Sequence, residues 1–265
     1  LLAGLNIVNL VRQFCDELTV IIPMKAHSTA TLIALGASSV MMTKQATLGP
    51  IDPSLNGPLN PAMPGPNPMA RIPVSVESVT GYFDFARSLG ISSENAMMQL
   101  VVNLSQQLNP LVIGNVYRSR TQIRMLGKRL LSSHIADVEK IDRILDFLCS
   151  ESGSHDYTIN RREAANELAL KINKPTETQY AVLKALHEDY SMELELLNPF
   201  DPNLLLGPNP DVDYSFTRGL LESVEGGSTK FSSRGKLCRL TVPTPAGPQD
   251  ATEDRRTFEA WHHAT

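Results

Sequence analysis

Gly49 to Pro73 holds eight prolines and three glycines in 25 residues. Proline removes a backbone donor and fixes φ, so neither a helix nor a central strand can run through such a stretch. The chain must therefore fold as an element-rich front, a long loop, and a remainder that starts afresh after Pro73. With 265 residues there is ample length for a sizeable core.

Ahead of the loop, two periodicities alternate. Leu2, Leu5, Ile7, Leu10, Val11, Phe14 and Leu18 recur at three- and four-residue steps, which predicts an amphipathic helix. Thr19 to Pro23 is a β-branched run of the kind that fills a strand buried on both faces. Ser28 to Ala37 is small or apolar all round, as a fully buried helix is, and Ser39 to Met42 reads as a further strand. This alternation predicts an α/β layered core with parallel strands.

Behind the loop, the pattern turns helical. Helices are expected over 75–89, with Ser75 as cap and Glu77 in the first turn, and over 93–108. They continue over 111–150 as one long helix or two abutting ones, and over 160–172 and 176–197. A strand pair is expected at 219–224 and 231–242, across the Glu225-Gly226-Gly227 turn. The expected organisation is a core over 1–110, a helical region over 111–200 and a C-terminal extension with the strand pair over 201–265.

Charge narrows the function classes. The sequence carries 24 Lys+Arg against 28 Asp+Glu, a formal net charge of -4, so binding nucleic acid through bulk charge is not expected. Cys15, Cys149 and Cys238 are odd in number and far apart, without a CxxC spacing. They predict a reducing, cytoplasmic setting rather than a disulfide framework. No window reaches the roughly 18 apolar residues of a membrane span. The sequence opens on Leu1-Leu2-Ala3, already inside a helical pattern and without an initiator Met. It is expected to be the rear part of a longer chain.

The densest chemistry lies in Pro23-Met24-Lys25-Ala26-His27-Ser28-Thr29-Ala30-Thr31. A strand ends there and Ser28 stands where the next helix begins, facing N–H groups that have no intrahelical acceptor. Such a place stabilises a developing anion. It is also the commonest place for a serine that only caps its helix, and local chemistry alone favours the cap.

Pro23 to Met42, followed by Gln45 to Gly57 with Leu48-Gly49-Pro50-Ile51-Asp52-Pro53, resembles the serine dehydrogenase proteinase family of Clp-fold serine peptidases. These are relatives of Clp protease and signal peptide peptidase A, with a turn A-x-S-A-G-T and a second motif L-G-P-I-D-P. The resemblance puts Ser28 on the nucleophile position and matches the second motif in full. It is clearest over residues 1–55 and looser through Ser154-His155-Asp156-Tyr157, Glu163-Ala164 and Leu221-Glu222-Ser223. It implies a Clp/crotonase-like layered core whose N-terminal strands are missing from this sequence, including a Gly-Gly turn ahead of Leu1 that supplies oxyanion N–H groups. It also implies a serine-type endopeptidase acting on peptide or protein substrates, a homo-oligomer, and no cofactor. Some relatives carry an N-terminal membrane anchor, so membrane association through a segment ahead of Leu1 belongs to the same expectation. Where the family has Ala-Gly after the serine, this sequence has Thr29-Ala30.

The base stays open. Relatives use a histidine or a lysine, and the position that carries histidine in Clp protease reads Ile51-Asp52-Pro53 here. Lys25, Lys44 and Asp52 are the candidates, against a solvated charge for the two lysines and an Asx turn for Asp52. His27 adjoins Ser28, but neighbouring side chains in extended backbone diverge. A catalytically silent Clp-fold scaffold is the alternative.

Other motifs carry less. Arg120, Arg124 and Lys128 recur every four residues, which reads as a solvated helix face before it reads as a phosphate site. Residues 158–190 imitate a helix-turn-helix, but their acids favour a structural helical hairpin. His134, His155 and His187 lack ligand spacing, so no metal is expected, and Glu225 to Lys230 lacks the arrangement of a phosphate loop.

Overall fold

The computed structural model describes residues 2–51, 54–65, 69–151, 157–244 and 247–264, and its contacts divide the chain after Tyr180.

The first unit is mixed α/β. Helix α1 (Leu2–Val11) turns Gly4, Leu5 and Val8 inward, and strand β1 (Thr19–Ile22) leads to the short β2 (Lys25–Ala26). Helix α2 (Thr29–Leu35) follows, with Thr31, Leu32, Ala34 and Leu35 buried, as its run of small and apolar residues requires. Strands β3 (Ser39–Met42) and β4 (Thr47–Leu48) come next. β1 and β3 pair in parallel from Thr19↔Ser39 to Ile22↔Met42, and β2 and β4 in parallel at Lys25↔Thr47 and Ala26↔Leu48. One helix thus serves two parallel crossovers. Gly36 follows it at a place where nothing larger fits: a Cβ there would stand 2.7 Å from Val8 and 2.8 Å from Leu130.

The described part of the proline-rich loop carries short strands and side-chain hydrogen bonds. Strands β5 (Ser54–Leu55) and β6 (Val74–Ser75) pair antiparallel and pin its two ends, and Ala62 bridges Arg71. Where proline cannot donate, a side chain does: the Asn60 amide donates to the carbonyls of Leu55 (2.7 Å) and Ile72 (3.0 Å). Helices α3 (Val76–Ser88) and α4 (Glu94–Gln107) begin at the side-chain caps Ser75 and Ser93. Asn109 caps α5 (Pro110–Leu131), which has Pro110 in its first turn, and Asp137 caps α6 (Val138–Asp146). Two helices therefore occupy the span that allowed one, and a π-helical turn (Phe147–Glu151) follows.

The main core joins segments far apart in sequence. Leu32, Leu35, Met42, Leu48 and Ile51 are buried with Ile123, Leu126 and Leu131 of α5 and Ile141, Ile144 and Leu145 of α6. So the rear of α5 and α6 complete the core begun by the front of the chain, while Val74, Val76, Val79, Val112 and Val116 form a separate cluster.

Residues 158–190 depart from the expected hairpin. Strand β7 (Ile159–Asn160) joins β4 antiparallel, α7 (Arg161–Asn166) is one short helix, and β8 (Ile172–Asn173) pairs in parallel with β3. The expected helix over 160–172 stops early because Leu168 and Leu170 turn into the core and Ala169 takes a positive φ of 51°. The Lys171 carbonyl then accepts from the Val40 N–H at 2.9 Å. Neither a helix-turn-helix nor a helical hairpin is present there.

Helix α8 (Glu177–Glu193) spans the division of the chain. The second unit holds α9 (Pro202–Leu206) and a meander of β9 (Asp211–Ser223), β10 (Gly227–Thr244) and β11 (Gly247–His263), in the order β11-β10-β9. A pair was expected and three long strands are found. Polar pairing holds the third strand: Ser233 Oγ donates to Glu259 (2.7 Å), and Tyr214 donates to Asp254 (2.5 Å). Such a strand shows little apolar alternation. Among the described residues, no helix is long and apolar enough to cross a membrane.

Candidate active site

Ser28 links β2 to α2 and has φ 53° and ψ -112°. A residue with a Cβ rarely adopts this backbone, and such strain persists only where the surroundings impose it. The surroundings here are short and strongly tied. Ala26 is held in the β2–β4 ladder, the Ala30 N–H donates to the His27 carbonyl (3.0 Å), and the Leu32 N–H donates to the Ser28 carbonyl (3.2 Å).

Thr31 locks this turn to the Leu48–Pro53 motif. Its side chain is fully buried, and its one hydroxyl proton lies between the carbonyls of Ala26 (2.9 Å) and Gly49 (2.7 Å). The same oxygen accepts from the Gly49 N–H at 3.3 Å. One side chain thus joins the strand before the serine, the helix after it, and the loop that follows β4.

The serine hydroxyl does not cap its helix, so the commonest use of a serine at this position does not apply. Ser28 is half-buried, and among the described residues its hydroxyl makes no hydrogen bond. The Thr29 N–H, directly after the serine, likewise meets no acceptor among the described residues. An N–H at that place is where a strand-to-helix nucleophile turn keeps one of its oxyanion donors.

The other predicted residues are distributed around this turn. Lys25 lies on β2 and Lys44 between β3 and β4, and both are exposed. Asp52 lies outside the described residues, as do Ser154, His155 and Asp156. The His27 ring covers Gly49, and its Nε2 lies 3.3 Å from Thr47 Oγ1. A Cβ on Gly49 would stand 2.7 Å from His27 Cγ, so the glycine of the second motif is required by the ring beside it.

Two residues of this site escaped the sequence reading. Thr31 could have been found as a hydroxyl inside an otherwise apolar run, since a buried polar group needs partners. Thr47 carried no signal. The arginine run also differs from its reading as a solvated face: half-buried Arg124 pairs with Asp146 (2.5 Å) and approaches Asp142 (3.9 Å) on α6. Among the described residues, no three His, Cys, Asp or Glu side chains gather as a metal site would require.

Neither a curated protein nor a solved structure matches the chain. Residues 1–64, which hold the strained serine turn, Thr31 and the glycine under His27, match the family model described as ClpP-like SDH-type serine proteinase, in support of the family that those residues resemble.

Proposed function

We propose that the protein is a serine-type peptidase of Clp/crotonase-like layering, acting as a homo-oligomer on peptide or protein substrates, with Ser28 as nucleophile. The observation that carries this reading is the strained Ser28 backbone with a hydroxyl that does not cap α2. The family match over residues 1–64 supplies the reaction class. In this reading Ser28 Oγ attacks the scissile carbonyl, forming the carbon–oxygen bond while a base takes the hydroxyl proton. The Thr29 N–H donates to the oxyanion, and Thr31 keeps the turn in place as a positioning residue. Collapse of the tetrahedral centre expels the amine, which takes up the proton, and water then hydrolyses the acyl-enzyme.

A catalytically silent scaffold is favoured by a separate observation. Thr29-Ala30 stands where the family has Ala-Gly, and among the described residues no base reaches the serine hydroxyl. One experiment separates the two readings: exposure of the folded protein to a fluorophosphonate probe. A peptidase labels at Ser28 and loses the label in Ser28→Ala. No labelling, or equal labelling of the variant, rejects Ser28 as nucleophile.

A further inference from the structure

In the second unit, an open cleft of about 530 Å³ is lined by Leu196, Phe200, Leu204, Leu205, Phe216 and Arg218 among others. That volume falls within the range of ligand sites, and its walls are chiefly aromatic and aliphatic. The Arg218 guanidinium lies 4.8 Å from the centre of the Phe200 ring and 4.9 Å from that of Phe216. Stacking on aromatic faces fixes the plane of the fork while leaving its N–H donors for another partner.

Those donors have no taker among the described residues, where Arg218 joins no hydrogen bond or ion pair. The positive charge of Arg218 acts on Asp254 and Glu259, whose hydrogen bonds go to other partners, and the Glu195 carboxylate also lines the cavity. Asp254 accepts from Tyr214 (2.5 Å) and pairs with Arg256 (2.7 Å), and Glu259 accepts from Ser233 (2.7 Å) and pairs with Arg256 (2.6 Å). Asp201, at the cavity rim, accepts from the N–H groups of Asn203 (2.8 Å) and Leu204 (3.2 Å).

The strand that carries Phe216, Thr217 and Arg218 into this cavity is β9. It is an edge strand, paired with β10 and with no second strand among the described residues. An unpaired strand edge offers a row of backbone donors and acceptors to an extended peptide.

We propose that this cavity binds the C-terminus of a peptide: the terminal carboxylate on the Arg218 fork, apolar final side chains among Phe200, Leu204 and Leu205, and the peptide backbone along the β9 edge. A bidentate carboxylate suits the planar guanidinium, and a backbone partner distinguishes a peptide from any other apolar acid. The site is independent of the chemistry at Ser28.

The test is fluorescence anisotropy of a fluorescein-labelled tetrapeptide of alternating valine and leucine, titrated with the whole protein. The free-acid peptide binds, and amidation of its C-terminus weakens binding at least about tenfold. Arg218→Gln weakens the acid to the same degree, and in that variant amidation has no further effect. Absence of binding, equal binding of acid and amide, or undiminished binding by folded Arg218→Gln overturns the proposal. Displacement of the labelled peptide by sodium decanoate at lower concentration than by unlabelled peptide also overturns it, in favour of an acyl carboxylate. Should Arg218→Gln fail to fold, the acid-against-amide comparison on the unaltered protein decides alone.

Discussion

The Thr31 hydroxyl lies 2.7 Å from the Gly49 carbonyl and accepts from the Gly49 N–H at 3.3 Å, so one side chain in α2 meets both backbone polar groups of a residue eighteen positions later, whose N–H is shared with the Ala26 carbonyl (3.3 Å). Replacement of Thr31 by the isosteric valine keeps the packing and removes the oxygen. The buried Gly49 carbonyl then loses this partner, at a cost of about 1–3 kcal/mol. Thr31→Ser retains the oxygen and recovers most of it. Urea unfolding orders the three proteins as wild type, serine, valine. Fluorophosphonate labelling in native buffer falls in the valine variant and returns in the serine variant.

Gly49 has a second constraint, from the other side of the loop. A methyl group added there meets His27 Cγ at 2.7 Å and Cδ2 at 2.9 Å, closer than atoms pack. Gly49→Ala therefore displaces the imidazole and destabilises the protein by about 1–3 kcal/mol. The cause is steric, so removal of the ring relieves it: His27→Ala/Gly49→Ala is less destabilised than the sum of its single variants. Additive single effects in thermal or urea unfolding reject the ring as the cause.

These contacts show how much could be read beforehand. The strand, the buried helix and the serine turn were legible because β-branched and small-residue runs are local signals, and the resemblance placed Ser28 and Gly49. The Thr31 bridge was not, because its partners are backbone atoms on separate elements. β8 was hidden for a related reason: Ile172 and Asn173 form a strand only by lying beside Val40 and Met41. β11 was hidden by its charges, which give no apolar alternation and find their partners in Tyr214 and Ser233 on the neighbouring strands and in Arg256 on β11 itself. Local pattern predicts elements well where burial dictates residue type, and poorly where polar pairing does.

Cys149, in the π-helical turn, is buried, and this burial pushes its thiol up to about 12, against the opposing pull of the Arg124 guanidinium. The thiol therefore stays protonated in the folded protein well above neutral pH. Below about pH 9, the ordinary value for the group, both states hold the proton and its stabilising contribution is complete. Between about 9 and about 12 the unfolded chain releases the proton while the folded one keeps it, so stability falls as pH rises. Cys149→Ala removes this component. Its unfolding free energy declines less steeply from pH 9 to 11 than that of the wild type. Parallel declines would show that other groups carry the alkaline loss.

Ser28 stores strain that a different residue would not. At φ 53° and ψ -112°, a side chain with a Cβ is held in a backbone that glycine adopts freely. Ser28→Ala removes the hydroxyl and keeps the Cβ, whereas Ser28→Gly removes both. Because the hydroxyl makes no capping bond, its loss alone has little effect on stability. Relief of the strained backbone then leaves the glycine variant about 1 kcal/mol more stable than the alanine one, after the greater freedom of an unfolded glycine is subtracted. Urea unfolding of the pair measures the difference directly. A glycine variant less stable than alanine would show that the turn is not strained at Ser28. Under the proposed function both variants lose fluorophosphonate labelling, so the position at which glycine gains stability over alanine is the one proposed as nucleophile. That opposition is the expected mark of a residue kept for chemistry rather than for folding.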